Sequence, residues 1–381
     1  MKDSRYNILS FSSFGDMKGG GQESLFQLVK NLNKGVFRPV IVVPEYGELA
    51  EKVQSENIPV VKISLPAVLN PRIYEKLIAL RNLAKIIKQY KIDLIHTDGP
   101  RNTFYGGILS KLCGKPLIWH IRVSDKDKYD RILYHLSTKL ILVANALKNR
   151  FDWDDRSQKM VTIYNGIDFS EFTPNNFKFE IREVYGIKNN SLIIITVARI
   201  ERLKGQKYLI EACGRLKEKI QNFHVLLVGE IAESDYFREC NDLSDKLGIR
   251  DRITFTGREN RVNQILSESD LFVLPSLSEA FPRSLLEAMA VGKPVIVTDV
   301  GGCSEAVVNE ESGYIVPPKE SELLAEKIFM MLANKELRHN TGRASAVRAR
   351  SLFDIKETVK QTEKVFTETI VKYNKAKAQC N

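Results

Sequence analysis

Short apolar segments of strand length alternate with longer amphipathic segments along nearly the whole chain, and no other feature restricts the fold as much. Such alternation is the pattern of βαβ units, in which helices cover both faces of a parallel sheet. Strands are expected at Tyr6–Ser10, Arg38–Val43, Val60–Ile63, Asp93–Thr97, Leu117–His120, Leu140–Val143 and Val161–Tyr164. Helices are expected between them at Glu23–Leu32, Leu49–Glu56, Ile73–Tyr90, Asn102–Leu112, Tyr129–Ser137 and Ala144–Phe151. A second run follows. Its strands are Leu192–Val197, His224–Val228, Ile253–Phe255, Leu271–Leu274, Pro294–Thr298 and Gly313–Val316, and its helices lie near Gln206–Lys219, Ser234–Leu247, Arg261–Glu268, Ser284–Val291 and Ser321–Asn334. At 381 residues the chain exceeds the roughly 100–200 residues of one ordinary domain. The two runs are therefore read as two doubly wound α/β domains in series.

Loop chemistry between Asn165 and Asn176, with Asn165-Gly166, Asp168 and Thr173-Pro174-Asn175-Asn176, marks the junction and a hinge. From Asp354 to Asn381 the pattern is helical, with Val359, Phe366 and Ile370 on one face and no further strand. The reading is a first domain at 1–170, a second at 171–355, and a helix at 356–381 packing back on the first.

Apolar runs such as Leu192–Ala198 and Leu271–Pro275 fall far short of the roughly 18–20 residues of a membrane span. The segment Met1–Phe14 reads as a first strand rather than a leader. Five scattered cysteines fit neither a disulfide framework nor a zinc pattern, which suits a reducing cytoplasm. Net charge is +10, and its distribution is uneven: residues 1–168 hold 26 basic and 17 acidic residues, the remainder 31 and 30. The first half is expected to face something anionic, and peripheral contact with an anionic membrane, on the inner face of the cell membrane, is the favoured partner. Nucleic acid is disfavoured, since no basic surface interleaved with aromatics is visible. Within that half, Arg72–Lys91 interleaves basic residues with Ile73, Leu77, Leu80, Leu83, Ile86 and Ile87. It reads either as a membrane-surface helix or as a core-packing helix with its lysines in water.

Open parallel sheets bind ligands at the carboxyl ends of their strands. Gly19-Gly20-Gly21 lies after the first strand, either as an anion-approach site or as a plain turn, and it is not the G-x-G-x-x-G dinucleotide fingerprint. The second half holds the stronger constellation. Its first strand ends in Val197-Ala198-Arg199, followed by Lys204-Gly205, so two cations stand on one loop. Glu279 and Glu287 lie eight residues apart around Ala280-Phe281-Pro282-Arg283-Ser284-Leu285, with a helix expected to begin near Ser284. A diphosphate would sit between that helix's free amides and Arg199 and Lys204, with a glutamate on either side for sugar hydroxyls.

The linked motifs Ala198-Arg199-(x)4-Lys204-Gly205, Glu279-(x)7-Glu287-Ala288, Gly292–Ile296, Gly301-Gly302-(x)2-Glu305 and Gly313–Pro317 resemble the retaining glycosyltransferases of family 4, which have the GT-B fold. Gly20–Glu23, Asp93–His96, the strand ending in His120 and Asn165–Asp168 before Phe172 extend the resemblance over the first domain. The resemblance implies two Rossmann-like domains facing across a cleft and transfer of a hexose-type sugar from a UDP- or GDP-sugar to a saccharide or lipid-linked acceptor. It implies that Arg199 and Lys204 hold the donor phosphates, that Glu287 holds the ribose, and that Glu279 faces the sugar. The stretch Phe281, Pro282, Arg283, Ser284 and Leu285 would contact sugar and phosphate, and the backbone near Gly257-Arg258 would read the base. His120 would lie near the reacting centre, with Gly20 and Gly21 lining the cleft opposite.

No cofactor and no metal are expected, the nucleotide-sugar being a substrate. Asp125-Lys126-Asp127 spells the D-x-D of metal-dependent enzymes and is read as coincidence. Ala280 stands where many members have glycine, and Ile121-Arg122 follows His120 where many have an acid. His96 is a second candidate near the cleft, whereas His135, His224 and His339 read as structural or solvated. The competing readings are a GT-B nucleotide-sugar epimerase and a non-catalytic sugar-nucleotide binder.

Overall fold

The computed structural model describes residues 5–151, 153, 158–172 and 180–380. The part of the expected hinge at Thr173–Asn176 lies outside the described residues. The chain divides into two compact units, one running to Gly166 and resuming at Ile355, the other comprising Ile167–Asp354.

In the first unit the order is β1 (Tyr6–Phe11), α1 (Gly20–Asn31), β2 (Phe37–Val43), α2 (Glu48–Ser55), β3 (Val60–Lys62), α3 (Ile73–Gln89), β4 (Leu94–Asp98), α4 (Pro100–Cys113), β5 (Leu117–Ile121), α5 (Asp130–Leu136), β6 (Lys139–Leu142) and β7 (Met160–Thr162). The strands form one sheet in the order β3-β2-β1-β4-β5-β6-β7, with every pairing parallel. Successive residues of the buried strands serve opposite faces, as strand geometry requires. Leu9, Ile95 and Leu117 enter the core under α3 and α4, while Ile8, Leu94 and Ile118 enter the core on the other face.

The second unit contains α6 (Ile181–Val184), β8 (Leu192–Val197), α7 (Gln206–Leu216), β9 (Phe223–Val228), α8 (Ser234–Lys246), β10 (Ile253–Gly257), α9 (Val262–Glu268), β11 (Leu271–Leu274), α10 (Arg283–Ala290), β12 (Val295–Thr298), α11 (Cys303–Ala306), β13 (Tyr314–Val316), α12 (Ser321–Ala333) and α13 (Lys335–Leu352). Its parallel sheet runs β10-β9-β8-β11-β12-β13. The last helix, α14 (Ile355–Cys380), belongs to the first unit, where Val359, Val365, Phe366 and Ile370 join Ile8, Leu28, Phe37 and Ile118 in one core.

The sequence reading is met in most elements and departs in some. The expected α-helix at Ala144–Phe151 is a 3₁₀ segment, Asn145–Arg150, which ends where Arg150 is drawn inward to Asp130 (2.6 and 2.8 Å) and to the Val123 carbonyl (3.0 Å). The helix expected near Ser284 is present and begins at Arg283. Helix α13 was not anticipated, because the residues it buries, Thr341, Gly342, Ser345 and Ala349, are small and give no apolar period.

Candidate functional site

Each sheet has one place where the strand order reverses, and there the loops leaving two adjacent strands part and open a crevice. In the second unit this lies between β8 and β11. The two loops are tied to each other. Leu277 N–H donates to the Leu203 carbonyl (2.8 Å), and Gly205, at φ 65°, passes so close to Pro275 that a Cβ would stand 2.1 Å from its carbonyl oxygen. This register brings Lys204 Nζ to 2.9 Å from Glu279 Oε1, and the Ser276 hydroxyl donates to the same oxygen at 2.8 Å. The two charged side chains are 19% and 10% exposed, sheltered yet reachable.

Around this pair the backbone is clamped. Gly301, at φ 52°, would place a Cβ 1.7 Å from the Glu279 carbonyl oxygen, and Gly302 N–H donates to the Ala280 carbonyl (2.9 Å). Ala280 is not among the residues with positive φ, so alanine serves there as well as glycine. Phe281 is buried edge-on against Phe353, with ring centroids 5.4 Å apart. Pro282 then leads into α10, whose first-turn amides have no side-chain cap. Arg283 and Glu287, one turn apart on α10, approach to 3.7 Å, both largely sheltered. An uncapped helix start, a flanking guanidinium and a lysine make this edge attractive to an anion.

Arg199 is placed differently. It pairs with Glu201 (3.0 Å) and is 47% exposed, while Gln206 Nε2 donates to its backbone carbonyl (2.7 Å). Gly229 N–H donates to the Gly257 carbonyl (3.0 Å), and a Cβ on Gly229 would lie 2.1 Å from the Ala198 carbonyl oxygen, so the loops after β8, β9 and β10 converge. Arg258 is exposed just beyond them.

In the first unit the reversal lies between β1 and β4. A cavity of about 310 Å³ opens there, lined by Ser12, Ser13, Phe14, Leu65, Arg101 and Asn102 among others. Asn102 Nδ2 donates to Asp98 Oδ1 (2.7 Å) and to Ser13 Oγ (3.1 Å). Burial pushes the Asp98 carboxyl up, against the pull of Asn102.

Beside it, three strands assemble a histidine chain. Ser10 Oγ lies 3.1 Å from His96 Nδ1, His96 Nε2 lies 3.2 Å from His120 Nδ1, and an Arg122 guanidinium nitrogen lies 3.2 Å from the same His120 nitrogen. A guanidinium only donates, so His120 Nδ1 accepts. His96 Nε2 then carries a hydrogen, His96 Nδ1 accepts from Ser10, and His120 is left with its hydrogen on Nε2. Burial first, and then the Arg122 charge, hold His96 down to about 3 and His120 well below the ordinary histidine range, so both rings stay neutral.

The structure thus brings together Lys204 with Glu279 and Arg283 with Glu287, all in the second unit, whereas Arg199 turns to Glu201. His120, Gly20 and Gly21 are in the first unit. Gly20 and Gly21 correct the glycine-turn reading: they are the first residues of α1, none of Gly19–Gly21 has φ in the left-handed region, and a Cβ on Gly21 would touch nothing nearer than Arg122 Cδ at 4.0 Å. Asp127 lies in the turn before α5, its carboxylate accepting from Tyr129 N–H (2.9 Å) and its own N–H donating to Asp130 (3.0 Å). Ser276, Gln206, Ser10 and Asn102 were missed by sequence reasoning.

Residues 177–348 match the family described as glycosyl transferases group 1, and residues 18–171 match glycosyltransferase family 4. An uncharacterised glycosyltransferase of Methanocaldococcus jannaschii is 30% identical over 64% of this chain and 67% of that protein. The chain belongs to the family 4, group 1 glycosyltransferases. This glycosyltransferase is also 29% identical, over 68% of its length and 71% of the relative's, to the Escherichia coli UDP-Gal:alpha-D-GlcNAc-diphosphoundecaprenol alpha-1,3-galactosyltransferase. Its fold is that of GT-B glycosyltransferases: Anabaena HepE, solved in complex with UDP and glucose, aligns with a TM-score of 0.85 over 96% of this chain and 100% of that one, at 23% identity. Among the described residues no helix is long and apolar enough to cross a membrane.

Proposed function

We propose that this glycosyltransferase transfers a hexose-type sugar, with retention and without a metal, from a UDP- or GDP-sugar to a saccharide or lipid-linked acceptor in envelope polysaccharide or glycolipid synthesis, working in the cytoplasm at the inner face of the cell membrane. The observation that carries this reading is the Lys204–Glu279 pair, held by the tied loops after β8 and β11 beside the uncapped start of α10.

In the transfer the bond from the anomeric carbon to the diphosphate oxygen breaks, and a bond to the acceptor oxygen forms on the same face. The acceptor proton leaves with the departing diphosphate. Charge accumulates on that diphosphate, where Lys204, Arg199 and the amides of Arg283–Leu285 neutralise it. Glu279 orients the sugar, and Lys204 shifts between carboxylate and phosphate as the donor arrives. Glu287 takes the ribose, and the backbone at Gly257-Arg258 meets the base. Retention needs no protein nucleophile in this scheme, since positioning and electrostatics supply most of the rate. The cavity between β1 and β4 receives the acceptor, and the neutral His120 offers Nε2–H as a hydrogen-bond donor, not as a base.

The Escherichia coli relative is named for a UDP-sugar donor and a diphosphoundecaprenol-linked acceptor, and HepE was captured with UDP and glucose. Both support a UDP-sugar donor here, and the Escherichia coli relative supports a lipid-linked acceptor. The test is a panel of UDP-, GDP- and ADP-sugars, read first by melting temperature and then by product, with the anomeric configuration assigned by NMR. A donor that stabilises the protein and yields an inverted product, or no product with any saccharide or polyprenyl-diphosphate-linked acceptor, overturns the reading. Epimerised donor in place of transfer would identify an epimerase.

A further inference from the structure

We propose that the outer face of α3, with the loop before it, is the surface by which the first unit docks on an anionic phospholipid bilayer, and that it hands the bilayer-borne acceptor to the cavity between β1 and β4. The proposal rests on the lipid-linked acceptor proposed above.

Helix α3 satisfies the core with one face only. Ala79, Leu83 and Ile87 are buried, with Leu80, Ala84, Ile86 and Tyr90 packed beside them. The apolar residues of its first two turns point the other way: Ile73 is 67% exposed, Tyr74 58%, Leu77 61% and Ile78 55%, and Leu69 in the preceding loop is 72% exposed. Folding gains nothing from apolar side chains at these positions, and contiguous exposed apolar surface marks an interaction site. The sequence pattern of alternating basic and apolar residues is thus resolved into two faces, with Ile73 and Leu77 outside rather than in the core.

What the patch meets is indicated by the continuation of the same stripe. Steps of four and three residues carry Ile73 and Leu77 on to Arg81, Lys85 and Lys88, all exposed. The outer face is therefore apolar over its first half and cationic over its second. A bilayer presents that order along its depth, with an apolar layer beneath anionic headgroups, and Tyr74 is suited to the boundary between them. The single acid in these first turns, Glu75, is screened: Arg72 (3.2 Å), Asn70 (3.0 Å) and the Tyr74 hydroxyl (3.2 Å) all donate to it, and the Arg72 bond above all lowers its pKa.

The loop is braced, with Lys76 Nζ donating to the Val68 carbonyl (2.6 Å) and the Tyr105 hydroxyl to the Pro66 carbonyl (2.9 Å). It begins at Leu65, which lines the 310 Å³ cavity, and reaches the patch at Leu69. One short rigid segment therefore joins the proposed lipid contact to the proposed acceptor cavity.

The experiment uses the full chain with phosphatidylglycerol and phosphatidylcholine vesicles in co-sedimentation. The parent is expected to bind phosphatidylglycerol vesicles at low salt, more weakly as salt rises. The triple variant Ile73→Ser/Leu77→Ser/Ile78→Ser is expected to lose binding about tenfold or more. Arg81→Gln/Lys85→Gln/Lys88→Gln is expected to lose the preference for phosphatidylglycerol and its salt dependence. Because these side chains are exposed, both variants should keep the parent's circular dichroism, and Leu69→Ser in the loop provides a check that leaves the helix untouched. Parent-like vesicle binding by the apolar variant overturns the proposal. So does a parent that stays in the supernatant, or a parent dimer, measured without lipid, that the apolar variant converts to monomer, since the patch would then be a self-contact. Vesicle binding as described together with no sugar transfer to any acceptor overturns the acceptor reading alone. Transfer to a detergent-dispersed lipid-linked sugar without vesicle binding overturns the docking surface alone.

Discussion

Glu279 shares one oxygen between Lys204 and Ser276, so the carboxylate is oriented, and in the proposed scheme the lysine is the group it releases to a phosphate. Loss of one such charge-stabilising group typically costs roughly 10²–10³ in rate. Lys204→Ala and Glu279→Ala are each expected to lower kcat/KM for transfer by that much with circular dichroism unchanged, and parent-like turnover in Lys204→Ala would defeat the donor-side assignment. The histidine chain makes a different prediction. His96 has an ordinary value of 6.5 when unfolded and is held down to about 3 when folded, so between those values the unfolded chain binds a proton that the folded chain does not. Stability is therefore full above 6.5 and is lost as pH falls through this window, and His120 adds to the loss in the same direction. Denaturant midpoints at pH 7 and pH 5 should show the loss, with a shallower slope in His96→Gln. Because both rings are neutral throughout, kcat/KM should show no histidine limb between pH 6 and 8. Sequence spacing exposed Arg199, Lys204, Glu279 and Glu287 because each lies in a motif on one segment. It did not expose Ser10 as the partner of His96, since they meet only through the pairing of β1 with β4.

Strands and helices were legible where one face is buried and the other is not. The stripe Val359, Phe366, Ile370 announced α14 because each of those positions faces a core, and Phe366→Ala is expected to cost about 3–5 kcal/mol, read as a lower denaturation midpoint. Helix α13 was illegible for the opposite reason: it meets its neighbour backbone to backbone. A Cβ on Gly342 would stand 2.2 Å from the Gly292 carbonyl oxygen, just past the end of α10, so small residues replace an apolar stripe. That contact seats the far end of the helix whose first turn is proposed to face the donor. Gly342→Ala is expected to destabilise the protein by about 1–3 kcal/mol through overpacking. It should also raise the donor KM more than it lowers kcat, and a change in neither would dissociate α13 from the site. Gly20 and Gly21 were placed in a turn at this same scale, because a run of glycine reads as a turn, although these two are the first residues of α1.

At the scale of the whole molecule, the two sheets share one winding and differ in charge, and the chemistry follows the charge. A departing nucleoside diphosphate needs positive charge that is in place before it leaves. The second unit, Ile167–Asp354, holds 25 basic and 28 acidic residues, so in the proposed scheme that charge must be concentrated: Lys204 and Arg199 lie on the loop after β8, Arg283 lies at the start of α10, and the amides of α10, without a side-chain cap, add the positive end of a helix dipole. In the proposed scheme these fixed cations take the place of a divalent ion on the diphosphate, whereas an enzyme built on D-x-D spends its carboxylates on the ion. Here the Asp127 carboxylate accepts from Tyr129 N–H in the turn before α5. Transfer is therefore expected to proceed at an unchanged rate after exhaustive treatment with EDTA, and addition of Mg²⁺ or Mn²⁺ should not raise it. The comparison is made on Lys204→Ala as well, because a metal able to substitute for the lysine would restore the variant and leave the parent unmoved. Complete loss of parent activity in EDTA, recovered with Mn²⁺, would place the neutralising charge on an ion and make Asp125 and Asp127 its first candidate ligands.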